Sequence, residues 1–266
     1  MDSPSDISVI ISMADLTSYM LASGLMVLGF KSSGLNRLWT RLGYMFFALG
    51  TMSVTVHALL LGKTALFLAA AVAWGTIISW FVWQVELVGA FTAPVITVIL
   101  LSSIFLNSTD RADMMSHSAP SMRLHIASAI IGQSFAILAC GMSLLFLWLD
   151  RKLKNRQISD LPRKFPAIST LNQALTWTLW IGFIFITLSL LSGAMQALMG
   201  FIPATANLIP KVSWATLVWG WYLAILVMKG ILGYRPQKVA RMSLLGFLLL
   251  SVSWFGLLFW SSWRPI

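Results

Sequence analysis

Runs of about twenty apolar residues recur along this chain, and that repetition constrains its fold more than any single motif does. A run of that length crosses a bilayer as an α-helix, because an unpaired backbone amide or carbonyl in hydrocarbon costs several kcal/mol and a helix pairs them internally. The runs predict eight helices at roughly 8–30, 41–61, 64–84, 87–106, 122–149, 169–199, 212–232 and 241–261. The expected fold is all-α, a polytopic membrane bundle forming one transmembrane domain over 1–266. No long linker, low-complexity tract or internal repeat divides it.

Composition excludes a soluble domain. Hydrophobic residues make up 58% of the chain and charged residues 10%, whereas a soluble domain carries roughly 25% charged residues. The partner this composition requires is the lipid bilayer. A net charge of +10 does not indicate nucleic acid, because Lys and Arg sit in short connectors rather than along one solvated face.

Those connectors read as topology signals. Lys31, Arg37 and Arg41 follow the first run; Arg151, Lys152, Lys154, Arg156, Arg163 and Lys164 follow the fifth; Lys229, Arg235, Lys238 and Arg241 surround the last two. By the positive-inside rule these thirteen are cytoplasmic, which leaves Lys63, Arg111, Arg123, Lys211 and Arg264 outward. An even number of spans then puts both termini on the periplasmic side of a bacterial inner membrane. The opening MDSPSDIS lacks the positive n-region of a secretory signal, so the first helix is expected to be retained. The segment from Asp150 to Ile168, with Pro162 and Pro166, is expected to be extended or broken.

An ionisable side chain inside a membrane helix is costly unless it is paired or functional. His57, in SVTVHALLLG, lies near the outward end of the second helix, and His125, in MRLHIASAIIGQ, near the outward start of the fifth. Two neutral imidazoles at similar depth on different helices suit the axial positions of one b-type, non-covalent haem. The bland alternative is a pair of interfacial histidines bonded to backbone or water. His117, in the polar outer loop, and Glu86, at a turn, read as solvated residues.

Trp74, Trp80, Trp214, Trp219 and Trp221 fall in helices three and seven and suit the wall of a planar hydrophobic ligand, while Trp83, Trp148, Trp254, Trp260 and Trp263 fit an interfacial belt. Cys140 is the single cysteine and lies in an apolar run, which excludes a disulfide framework or CxxC chemistry. Asp15, near the outer end of helix one, is the one acidic residue set within a span. No Walker motif, HExxH or GxSxG is present, and no acid, base or nucleophile constellation supports catalysis.

Several segments, in order, resemble the membrane cytochrome c assembly family, in its smaller HemX-like or YpjD-like branch. They are His57-Ala58; Leu124-His125-Ile126; FLWLDRKLKNRQ from Phe146; FPAISTLNQ from Phe165; IGFIFITLSLLSG from Ile181; and GYRPQKVARMSLLGF from Gly233. The resemblance implies that His57 and His125 contribute to haem binding. Three features depart from the full-length haem lyases: a short Ile209-Pro210-Lys211-Val212 stretch replaces the tryptophan-rich loop, Val227 stands where a histidine is usual, and a second outward histidine near the C-terminus is absent.

The reading that follows is a non-enzymatic haem-binding or haem-handling inner-membrane protein of cytochrome c assembly. Its bis-histidine site would lie near the periplasmic face, with Trp214 and Trp219 beside the cofactor. Its partners would be cytochrome c assembly components or another membrane protein. The competing reading is a cofactor-free accessory or scaffold subunit of a membrane transporter or other membrane complex.

Overall fold

A computed structural model describes residues 4–31, 36–85, 87–105, 120–156, 166–199 and 208–262. Among these residues the regular structure is helical throughout, with no strand. The helices are α1 (Pro4–Lys31), α2 (Asn36–Leu61), α3 (Thr64–Trp83), α4 (Val88–Phe105), α5 (Pro120–Lys154), α6 (Ile168–Leu198), α7 (Leu208–Gly230) and α8 (Pro236–Ser262). Five of them contain stretches long and apolar enough to cross a membrane: Leu38–Leu61, Thr64–Trp83, Pro120–Lys154, Ile168–Leu198 and Pro210–Gly230. A shorter apolar stretch covers Val88–Ile104. The chain is a multi-pass membrane protein.

Two compact units divide the chain, one of Met1–Ser116 with Leu149–Leu171 and one of His117–Trp148 with Asn172–Ile266. In the first unit, α1 and α2 run antiparallel along a tight seam. A Cβ added at Gly43 would lie 2.9 Å from Met26 Cγ and 3.2 Å from the Ala22 carbonyl oxygen; one at Gly50 would lie 3.3 Å from Ser18 and from the Tyr19 ring. Small residues at these crossings let the backbones approach, which is how helices associate where lipid removes the usual hydrophobic drive. Tyr19 packs edge-on against Phe47 at 5.3 Å between ring centres.

Local chemistry explains the connections. Gly62, at φ 65°, makes the two-residue link from α2 to α3, and its N–H donates to the Ala58 carbonyl at 2.9 Å. A left-handed residue at this position is a common helix stop, and glycine takes it without a Cβ clash. So short a link makes α2 and α3 neighbours. Gly233, at φ 61°, serves the α7 to α8 turn, where Lys238 Nζ sits 3.9 Å above the Tyr234 ring.

Many hydroxyls inside the helices donate to a carbonyl of the preceding turn. Thr51 donates to the Phe47 carbonyl at 2.7 Å, Thr76 to Val72 at 2.8 Å and Thr178 to Ala174 at 2.6 Å. Thr76 also reaches Thr92 on α4 at 3.0 Å, a polar tie between helices. On α2, Met52, Val56, Leu59 and Leu60 are exposed while Thr51, Val54, His57 and Ala58 are buried. The exposed positions form an apolar stripe along α2.

The segment after the fifth apolar run begins differently from the expected extended chain. Helix α5 continues through Asp150–Lys154, where Lys154 Nζ pairs with Asp150 Oδ2 at 2.8 Å, and stops at Arg156 with φ 54°. An i,i+4 ion pair and helix-favouring Lys and Leu residues carry the helix beyond its apolar part. Pro162 lies outside the described residues.

Candidate functional site

The seam of α1 and α2 positions the most unusual polar group in the first unit. Gly50 against Tyr19 and Gly43 against Met26 set the antiparallel register, and continuing that register one to two turns toward the C-terminal end of α2 brings His57 level with Asp15. Their side chains meet: His57 Nδ1 lies 3.0 Å from Asp15 Oδ2. Both residues are interior, with Asp15 at 0% and His57 at 2% exposure.

A carboxylate oxygen accepts hydrogen bonds, so the contact puts the hydrogen on Nδ1, and in the neutral tautomer this leaves the lone pair at Nε2. That Nε2 atom is buried and has no hydrogen-bond partner, and the same holds for Asp15 Oδ1. Buried polar atoms in folded proteins are almost always paired. An imidazole held at one nitrogen by a carboxylate, with the other bare, is the arrangement that metal-ligating histidines adopt.

One turn along the seam, the Tyr19 hydroxyl donates to Thr51 Oγ1 at 3.3 Å, and Thr51 passes its own hydrogen to the Phe47 carbonyl. This closes the polar layer below the pair. Trp74 Nε1 donates to Thr55 Oγ1 at 3.0 Å, and Trp80 stacks on Tyr44 at 4.7 Å with an interplanar angle of 9°. Both tryptophans are thus engaged in packing within their unit.

The second unit holds His125. Its Nδ1 lies 2.8 Å from the Ser189 carbonyl oxygen on α6, which can only accept, so this ring too carries hydrogen on Nδ1 and presents Nε2. Gly193 makes the ring's position possible, since a Cβ there would lie 3.0 Å from His125 Cε1 and 3.1 Å from Nδ1. Gln196 Nε2 donates to the Ser121 carbonyl at 3.1 Å and ties the start of α5 to the end of α6.

Trp219 donates from Nε1 to Thr187 Oγ1 at 2.9 Å and stacks on Phe183 at 5.8 Å. Trp214 stands five residues earlier on α7, about 7.5 Å along the axis. Its indole N–H is buried and unpartnered. Trp221 is occupied by the Met242 carbonyl at 3.0 Å.

Each predicted histidine is therefore held at Nδ1, His57 in one unit and His125 in the other. Asp15 is the residue that sequence reasoning passed over; its placement inside a span was visible, but its partner was not. His117 and Glu86 lie outside the described residues, as do the side chains of Trp254, Trp260 and Trp263. No group of three or more His, Cys, Asp or Glu is assembled among the described residues.

The family model described as cytochrome C assembly protein matches residues 57–263. No curated protein and no solved structure matches the chain.

Proposed function

Because the chain belongs to the cytochrome c assembly protein family, we propose that it binds and handles haem in the bacterial inner membrane during cytochrome c biogenesis. The observation that carries this reading is the bare, buried Nε2 of His57, fixed by a hydrogen bond from Nδ1 to Asp15. His57 would hold the iron through Nε2. His125, held at Nδ1 by a backbone carbonyl, offers a second donor of the same kind.

A haem iron bound by imidazole supplies reversible one-electron chemistry. The chain's own contribution is to hold each ring in one tautomer, to keep the His57 nitrogen out of water, and to surround it with apolar helix. Trp214 would contribute an aromatic face and a buried, unpartnered N–H. Trp219 braces α7 against α6 and acts through that packing. The partners on this reading are other cytochrome c assembly components, and the spans are arranged with both termini periplasmic. On this reading the chain is a non-enzymatic carrier.

Absorption spectroscopy of the detergent-purified protein tests the proposal. The wild type is expected to show a Soret band that weakens strongly in His57→Ala. A wild type that stays colourless after incubation with haemin overturns it and leaves the scaffold reading in its place.

A further inference from the structure

Asp15 belongs to α1, whereas the matched family region begins at residue 57. The carboxylate against His57 therefore comes from a helix that precedes that region. We infer that Asp15 is a positioning residue that fixes the His57 tautomer and strengthens its Nε2 as a donor to iron. This rests on the haem reading proposed above.

Three observations carry the inference. The pair is enclosed, so no bulk water competes for Nδ1 or screens the carboxylate. The other carboxylate oxygen has no partner, so no further hydrogen bond draws charge away from the one to the ring. The seam that brings the pair together is tight at its glycines, where a Cβ at Gly43 would lie 2.9 Å from Met26 Cγ and 3.2 Å from the Ala22 carbonyl oxygen, so close helix packing holds the register in which the 3.0 Å contact forms.

The chemical consequence has a definite sign. A hydrogen bond from Nδ1 to an anionic oxygen pushes electron density toward Nε2, and a stronger donor stabilises ferric over ferrous iron. Asp15→Asn keeps the size and an acceptor oxygen but removes the charge, so it separates electrostatic tuning from simple support. His125, whose Nδ1 faces a neutral carbonyl, provides the internal contrast.

The experiment is spectroelectrochemical titration of the full chain in detergent, loaded with haemin, as wild type and Asp15→Asn. The expected result is a retained Soret band with the ferric-over-ferrous preference reduced about tenfold, a rise in midpoint of about 59 mV for one electron. Asp15→Ala should weaken haem retention by about 10- to 100-fold. Haem uptake with an unmoved midpoint in Asp15→Asn overturns the inference alone. A wild type that takes up no haem overturns the haem reading and this inference with it.

A second measurement covers an Asp15→Asn protein that fails to fold. Selective 15N-histidine labelling of the haem-free wild type, with His57→Ala to assign the signal, should show His57 protonated at Nδ1 and bare at Nε2. Protonation at Nε2 instead overturns the inference.

Discussion

His57 Nδ1 and Asp15 Oδ2 lie 3.0 Å apart in the interior of the first unit, although the two residues are 42 positions apart in sequence. Removing one member of such a pair strands the other in a medium that cannot solvate it. We expect Asp15→Leu to lower stability by about 1 to 3 kcal/mol, the usual cost of leaving a buried donor without its acceptor. The double variant Asp15→Leu/His57→Leu should recover much of that loss. Thermal unfolding in detergent, followed by tryptophan fluorescence, measures both; a double variant less stable than Asp15→Leu would contradict the pairing.

The α1 to α2 seam gives a second expectation. Gly43→Val must displace Met26 or the α1 backbone near Ala22 and should cost about 1 to 3 kcal/mol through overpacking. Gly24 and Gly220 have nothing within 4 Å of an added Cβ. Alanine at either should be neutral or stabilising by up to about 1 kcal/mol, since alanine favours a helix more than glycine does. Melting curves of the three variants in one detergent decide the matter.

Trp219 supplies a third. Thr187→Val removes the acceptor of its indole N–H and keeps the shape of the side chain, leaving a half-buried donor unpaired at a cost of about 1 to 3 kcal/mol. Thr187→Ser keeps the hydroxyl and should cost less than Thr187→Val. Equal losses in the two variants would show that the bond itself contributes nothing.

The helices were legible in the sequence to within a turn at most ends because apolar length and breakers mark them. The predicted 64–84 corresponds to Thr64–Trp83, and 87–106 to Val88–Phe105. The wet end of α5 was not legible, since apolar runs mark where lipid ends and not where a helix ends; Asp150 and Lys154 continue it in solvent. His57 and His125 stood out as rare ionisable residues in apolar runs. The contact between Asp15 and His57 did not, because it depends on the register of two helices, which glycines at 43 and 50 set through packing rather than through any local pattern.

His125 offers a fourth expectation. Gly193→Ala puts a methyl group 3.0 Å from Cε1 and should displace the ring from the Ser189 carbonyl. In 15N-histidine spectra the His125 Nδ1 signal should lose its hydrogen-bonded shift, and the His57 signal should stay in place. An unmoved His125 signal would mean that the ring is held by other contacts.

Topology yields a fifth. Cys140 is the single cysteine and is buried, so Asn155→Cys in a Cys140→Ala background carries one exposed thiol beside Arg151, Lys152, Lys154 and Arg156. On the positive-inside rule this position is expected in the cytoplasm. A membrane-impermeant maleimide should label it in lysed cells and not in intact spheroplasts. Labelling in intact spheroplasts would invert the assigned orientation.

The imidazole stands at the first residue of the matched family region, and the carboxylate that meets it stands on a helix before that region. A gain or loss of that leading helix during descent would alter the electronic character of the histidine without touching a single matched position. On the haem reading proposed above, chains that share the matched segment and differ before it would hold that ligand at different strengths, a divergence invisible to any comparison confined to the common part.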